Sequence, residues 1–554
     1  MFQIKNVTLT HKKDLRTILD NFSLVLNDGD RAVMIGEEGN GKSTLMKWIY
    51  DPELVEDYIE YSGEKVINGE RLGYLPQELS EQEKGKTVCE YFMDASGFLD
   101  KTPKELSKLA NDFHVEPEFY YREQTMQTLS GGERVKAQMM RILIDDSTIL
   151  MLDEPSNDID IETLELMEKL INSWDHAVLF ISHDETLIEN TANRVIHFEQ
   201  IRRKTMCRHT VANIPYRQYV EERLNNFNKQ EQMAITDRKE KEIREAKYRR
   251  LLQKVEHAQG AVSRQDPSIG KNLKDKMHTV KAMGKRFERL DEQMTEMPEQ
   301  EEAIFFKLGD KDSSIPSGKW VLEYESPELK TSDGSRVLAE NIVLKIRGSE
   351  KIAIVGTNGC GKTTLISKIA EDLFARSDLK VQYMPQNYEV LLELDETPVD
   401  FLENSLIKDN CNIVSQFNNR AEKRKKDSEK KSESDFRGIP GGKEFRTQIC
   451  TYLGSLKYTA DEMEHPIREL SGGQKAKVLL LKLSMSGANV LILDEPTRNF
   501  SPLSGPVIRK MLKEFPGAII SVSHDRKYLS EVCDKIYRLT EKGLRNQSEG
   551  RFSD

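Results

Sequence analysis

"LSGGERVKAQMMRILIDDSTILMLDEPSND" occupies residues 129–158, and "LSGGQKAKVLLLKLSMSGANVLILDEPTRN" occupies residues 470–499. In each stretch a Ser-Gly-Gly turn opens a helical pattern, and an apolar run then ends in Asp-Glu. Ser130 to Glu154 is 24 residues, and so is Ser471 to Glu495. One occurrence could be chance. Two with the same internal spacing mark a duplicated unit.

The duplication extends outward on both sides. Gly36 and Lys42 of "GEEGNGKST" match Gly356 and Lys362 of "GTNGCGKTT" at an offset of 320. Gln77 in "YLPQ" matches Gln386 in "YMPQ" at 309, whereas Ser130, Glu154 and His183 match Ser471, Glu495 and His524 at 341. The second copy is therefore 11 residues shorter between Gly loop and Gln, and 32 longer between Gln and "LSGG". The added length falls around "RAEKRKKDSEKKSESD" (420–435), a charge run that reads as a solvated loop or helix, with nucleic-acid contact the other reading. In each copy short apolar runs ("RAVMIG", "TILMLDE", "AVLFISHD"; "KIAIVG", "NVLILDE", "AIISVSHD") alternate with helical patterns. Such runs predict parallel strands covered on both faces, an α/β sheet. The implied division is 1–213 and 303–554 for the two copies, with a different segment, 214–302, between them.

Composition sets the bounds. At 554 residues the chain exceeds what one hydrophobic core serves. With 37% hydrophobic and 32% charged residues it reads as a soluble globular protein, without an apolar run long enough to span a membrane and without a signal peptide at its start. Six cysteines without a C-x-x-C pair read as reduced thiols of the cytoplasm.

The two Gly loops fit G-x-x-x-x-G-K-[ST], each after a strand and before a helix. In the first, Gly36, Glu37, Glu38, Gly39, Asn40 and Gly41 form a turn whose backbone amides curl around phosphate oxygens, ahead of Lys42, Ser43 and Thr44. In the second, Gly356, Thr357, Asn358, Gly359, Cys360 and Gly361 do the same ahead of Lys362, Thr363 and Thr364. Lys42 and Lys362 are placed to bridge the β- and γ-phosphates of ATP, and Ser43 and Thr363 to hold Mg²⁺. Asp153 and Asp494, at strand ends, supply the second contact to Mg²⁺. Glu154 and Glu495 follow immediately, to orient or deprotonate the attacking water. Gln77 and Gln386 can reach metal or water, and His183 and His524 the γ-phosphate. "LSGG" adds Ser130, Gly131 and Gly132, or Ser471, Gly472 and Gly473, at a helix start: a second phosphate surface. Because each Gly loop already encloses its own phosphates, this second surface is best supplied by the other copy. Two nucleotides would then be sandwiched head to tail, the first Gly loop facing Ser471 and the second facing Ser130.

The set of Gly loop, Gln, LSGG[EQ], apolar-Asp-Glu and His resembles the ATP-binding cassette superfamily over both copies. Two cassettes on one chain with a charged helical linker and no membrane segment resemble its ABC-F family. That resemblance implies two P-loop domains joined by an antiparallel helical hairpin, ATP and Mg²⁺ as cofactors, and a monomer whose cassettes pair within the chain. It also implies a ribosomal partner: the hairpin enters the exit site and approaches ribosomal RNA and the acceptor end of the peptidyl-site transfer RNA. Two departures stand out. Where the family reads P-[ST]-N-H-L-D, copy one ("PSNDID") keeps Asn157 and Asp160, but copy two ("PTRNFS") has Arg498 and Ser501. An adenine-stacking aromatic is represented only by His11 in copy one, with no candidate in copy two.

The segment between the copies carries its own signal. From 216 to 290 there are 19 Lys/Arg and 11 Asp/Glu, a net +8, so against a total of −11 the remainder of the chain carries −19. A basic arm on an acidic body suits a nucleic-acid environment. Tyr248, Leu251, Leu252 and Val255, then Leu273, Met277, Val280, Phe287 and Met294, recur at helical spacing. "HAQGAVSRQDPSIGKN" (257–272) between them is a turn signal, so a hairpin with a first helix of about 40 residues, on the order of 60 Å long, is expected. Only 34 residues separate Lys42 from Gln77, which leaves no room for the family's arm insertion and points, with the short tail, to the resistance-type members. A housekeeping translation factor, a transporter ATPase subunit and a nucleic-acid repair ATPase remain as rivals at this stage.

Overall fold

The computed structural model describes residues 2–67, 69–156, 159–201, 206–260, 267–291, 294–295, 297, 308–309, 313–331, 334, 336–406 and 443–547. The charge run at 420–435, Asn157 and the 261–266 stretch of the linker turn lie outside them. Contacts divide the chain into one unit of residues 1–216 with 301–554, and a second unit spanning Arg217–Gln300.

In the first copy the strands are β1 (Phe2–His11), β2 (Thr17–Leu26), β3 (Arg31–Ile35), β4 (Ile59–Ile67), β5 (Leu72–Leu75), β6 (Ile149–Asp153), β7 (Val178–Ile181), β8 (Arg194–Ile201) and β9 (Met206–Ala212). Six of them form one sheet in the order β5-β6-β7-β3-β8-β9. Every residue of β6 and β7 is buried, as their unbroken apolar sequence requires when helices cover both faces. The strands expected to be parallel are so, and the sheet adds one antiparallel pair at its edge, β9 against β8. Only four residues separate the two strands, too few for a parallel crossover, so the chain returns as a hairpin. A separate antiparallel sheet, β2-β1-β4, packs Phe2, Ile4, Phe22 and Leu24 with Met34, Leu45 and Ile49 in a shared core.

The second copy repeats this plan with β10 (Trp320–Lys330), β11 (Val337–Arg347), β12 (Lys351–Val355), β13 (Val381–Met384), β14 (Val490–Asp494), β15 (Ala518–Val522), β16 (Lys535–Thr540) and β17 (Gly543–Asn546). Its large sheet has the order β13-β14-β15-β12-β16-β17, again with an antiparallel last pair. Its antiparallel sheet has two strands, β10 and β11. Among the described residues nothing corresponds to β4, and this accounts for the 11 residues missing between the second Gly loop and Gln386.

In both sheets the strand after the Gly loop's register partner matters most. β7 lies between β6 and β3, so the loop after β3, the Asp-Glu pair after β6 and the His after β7 emerge side by side at one edge. This is the crevice at the carboxyl ends of a parallel sheet where α/β proteins bind ligands.

The second unit consists of helices Tyr216–Gly260 and Pro267–Asp291. They run antiparallel: Asp291 pairs with Arg244 at 3.2 Å and Lys241 at 3.0 Å, the rings of Tyr248 and Phe287 lie 6.3 Å apart, and Asp237 accepts from the Thr295 amide at 2.9 Å. A Cβ on Gly284 would stand 2.9 Å from the Tyr248 hydroxyl, so glycine lets the helices approach there. The first helix has 45 residues, about 68 Å of rise.

Candidate nucleotide sites

Both Gly loops end in a left-handed glycine at the helix start, Gly41 (φ +81°) and Gly361 (φ +97°). A Cβ at Gly41 would collide with Ile18, and one at Gly361 with Leu338 and Leu329. Lys42 Nζ donates to the carbonyls of Gly36 (2.8 Å) and Glu37 (3.0 Å), and Lys362 Nζ repeats this on Gly356 and Thr357 at the same distances. Each ammonium is thus folded over its own Gly loop. Ser43 Oγ donates to Asp153 at 2.9 Å, and the Thr363 hydroxyl bonds Asp494 in the same way.

The four acids following β6 and β14 are held differently. Burial, with Glu154 next to it, pushes Asp153 up to about 6, and burial pushes Asp494 up to about 6. Burial would also raise Glu154, but the His183 imidazole, 2.9 Å from its Oε1, outweighs it and brings this carboxyl below the usual range. Glu495 stands 4.0 Å from His524, and burial with Asp494 beside it pushes it up to about 8. Glu154 and Glu495 share a backbone φ of +53°, which an L residue adopts at a cost. Both carboxylates are turned out of the strand line by that conformation, an arrangement no periodicity reveals.

The two copies build the sites jointly. Ser130, Gly131, Ser156 and His183 of copy one line a cavity of about 570 Å³ together with Gly359, Lys362, Thr363, Thr364, Gln386, Asp494, Glu495 and His524 of copy two. On the other side His183 Nδ1 lies 2.6 Å from the Phe500 carbonyl, and the Gly473 amide donates to Glu38 of the first Gly loop. The "PTRNFS" loop of copy two therefore lies against the site of Lys42, Asp153 and Glu154. Thr331 and Leu338 line the cavity beside the second Gly loop; at the 320 offset they match His11 and Ile18, so copy two has a threonine where copy one has its histidine. His11 is part-exposed and pairs with Asp14 at 3.2 Å. Gln77, just past β5, is exposed. Ser130 Oγ donates to Glu133 at 2.8 Å in a capping box, so it must rotate before offering its proton to a phosphate.

Ion pairs between the copies reinforce this arrangement. Arg509, 3% exposed, pairs with Glu185 at 2.8 Å, and Arg526 makes a two-pronged contact to Glu168 at 3.1 Å. Lys527 adds Glu185 and Glu189 at 3.0 and 2.6 Å. Arg509→Met should lower unfolding stability by about 2 kcal/mol, because Glu185 then relies on Lys527 alone of these cations and Glu531 loses the guanidinium. Adding Glu185→Gln should recover part of the loss in denaturant titrations; no recovery would place the cost in packing instead.

Magnesium ion fits these sites. Asp494 Oδ2 is buried without a hydrogen-bond partner, and each aspartate carries a hydroxyl neighbour beside the lysine-capped loop. No cluster of three acidic, His or Cys side chains among the described residues could hold an ion alone. That suits an ion drawing most of its ligands from phosphates and water.

The comparisons with known proteins agree with this geometry. The family model described as ABC transporter matches residues 19–157 and 339–498, over half of the chain. ATP-binding protein Uup of Escherichia coli (strain K12) is 26% identical, over 97% of this chain and 80% of its own length. Ribosome protection protein VmlR of Bacillus subtilis (strain 168) is 25% identical, over 98% and 88%. In fold, the chain resembles the archaeal ribosome recycling factor aABCE1 crystallised with the ribosomal stalk protein aP1, with a TM-score of 0.56 at 16% identity, over 98% of this chain and 91% of that one. No described helix is long and apolar enough to cross a membrane. With two nucleotide sites built head to tail and relatives aligned over nearly all of this chain, the chain belongs to the ATP-binding cassette family and is a tandem-cassette ATPase of its ABC-F branch.

Proposed function

We propose that this ATPase acts in the cytoplasm on the ribosome, binding when ATP closes its cassettes and leaving when ATP is hydrolysed. The observation that carries the reading is the charge layout: +8 on the hairpin segment against −19 on the remainder. Phosphate-rich surroundings attract such an arm while the acidic body stays solvated. Kinship with a ribosome protection protein supports the finer reading, in which the linker reaches the peptidyl-transferase region and shields translation from an inhibitor bound there.

In the chemistry, Lys42 and Lys362 neutralise the β- and γ-phosphates, and the loop amides orient them. Mg²⁺, when bound, withdraws charge from the phosphates; Ser43, Asp153 and Gln77 would hold it at one site, and Thr363, Asp494 and Gln386 at the other. Glu154 and Glu495 take the proton of the attacking water, with His183 and His524 steadying the γ-phosphate side. The cassettes pair within a monomer.

The test is translation in vitro with a peptidyl-transferase inhibitor. Deleting residues 261–266 removes no side chain of either nucleotide site, so basal ATPase should stay within about twofold. Ribosome affinity should fall modestly, because Arg244, Lys247, Arg249, Arg250, Lys274, Lys276 and Lys281 contribute additively along the helices. Protection should be lost at matched occupancy. Equal protection by shortened and intact chains would reduce the linker to a spacer.

A further inference from the structure

The two Gly loops differ in charge at one place: Glu37-Glu38 in the first stand where the second has Thr357-Asn358. Two carboxylates are chemically unexpected in a loop that receives a polyphosphate. Both reach across to the second cassette. Glu37 is 8% exposed; its Oε2 pairs with Lys477 at 2.9 Å, and its Oε1 accepts from Ser501 at 3.0 Å and Ser504 at 2.8 Å. Glu38 accepts the amide of Gly473, at the start of helix Gly472–Met485. A helix N-terminus of this kind is the element that elsewhere receives an anion.

One departure of the "PTRNFS" loop, Ser501, belongs to the same contact, whereas Arg498 lines the cavity of the second site. Ser501 occupies the place of Asp160 in copy one; an aspartate there would set a second carboxylate against Glu37, whereas a hydroxyl donates to it. Asp160 itself accepts the Thr163 amide at 2.9 Å, capping its own helix. Lys136, the counterpart of Lys477, has only Thr357 and Asn358 at the matching positions of the facing loop. At that second site the facing surfaces stand apart around the cavity holding Lys362 and Ser130. So the Gly-loop acids and the altered partner loop form one matched set, present at one site only.

We propose that Glu37 and Glu38 are a carboxylate latch: they hold the first Gly loop to the second cassette through protein anions, and Glu38 competes with the γ-phosphate for the Gly473 amide. ATP therefore binds more weakly at the first site, and closing and reopening with each nucleotide is carried by the second. This rests on ATP binding by the cassettes and is independent of the ribosomal partner.

The test isolates the first site in the full chain with Lys362→Met, which disables the second Gly loop, and titrates ATP by calorimetry. Replacing the pair by the second loop's own residues, Glu37→Thr with Glu38→Asn, should tighten ATP binding about tenfold, since two like charges leave the phosphate's surroundings. In the mirror experiment, Lys42→Met with Asn358→Glu should weaken ATP at the second site by a similar factor. Ser501→Asp should loosen the latch by opposing Glu37 and so tighten ATP at the first site without touching the Gly loop, which guards against a Gly-loop variant that folds poorly. Unchanged or weaker binding in both Glu37→Thr/Glu38→Asn and Ser501→Asp would overturn the latch.

Discussion

A chain carrying Glu154→Gln and Glu495→Gln binds ATP but hydrolyses it about 10²–10⁴-fold more slowly than the unmodified protein, the usual contribution of a positioned base. Glutamine keeps the size and one acceptor oxygen of each side chain, so the left-handed turn at φ +53° and the cassette contacts should persist. What disappears is the group that takes the water's proton. Phosphate release and nucleotide occlusion, followed together, check this: occluded ATP should rise as release falls. Turnover at the ordinary rate would remove both glutamates from the chemistry.

The single substitutions are expected to be unequal, with Glu495→Gln costing several-fold more turnover than Glu154→Gln. Three features point the same way. Glu154 is tied to His183 of its own copy at 2.9 Å, and His183 in turn bonds the Phe500 carbonyl across the interface, so this base is already spent on an anchored ion pair. Glu495 stands 4.0 Å from His524, so its carboxylate is not committed to that imidazole and is left to face the water. The site of Glu495 also opens to the 570 Å³ cavity, while the first Gly loop is bound through Glu37 and Glu38. Steady-state ATPase rates of the two single variants decide it. Equal losses, or a larger loss from Glu154→Gln, would contradict the asymmetry.

Much of the architecture is legible in the sequence because it is written twice. The 24-residue interval from Ser to Glu fixes a helix and a buried strand in order, and the Gly-loop pattern places its own strand and helix on either side. Facing of one copy's Gly loop with the other's Ser-Gly-Gly turn follows from counting phosphate surfaces. What escapes is whatever depends on contacts across the interface. Glu37 and Glu38 read as part of a phosphate loop, since only the fold brings Lys477 and Ser501 against them. The positive φ of Glu154 and Glu495 leaves no pattern in residue type. The ion pairs between copies were visible in principle: the 341 offset relates Glu168 to Arg509 and Glu185 to Arg526, so each pair is the charge-exchanged image of the other. Pairing two first cassettes would oppose acid to acid, and pairing two second cassettes base to base, which favours the mixed pair.

On the proposed function, ATP closure creates the ribosome-binding form, with the basic linker as the contact. Sedimentation of the Glu154→Gln/Glu495→Gln chain through a sucrose cushion, with purified ribosomes or with membrane vesicles, addresses it directly. The protein should pellet with ribosomes when ATP is present, do so far less without ATP, and be released steeply as salt rises. Pelleting with vesicles instead, or ribosome binding indifferent to ATP, would contradict it.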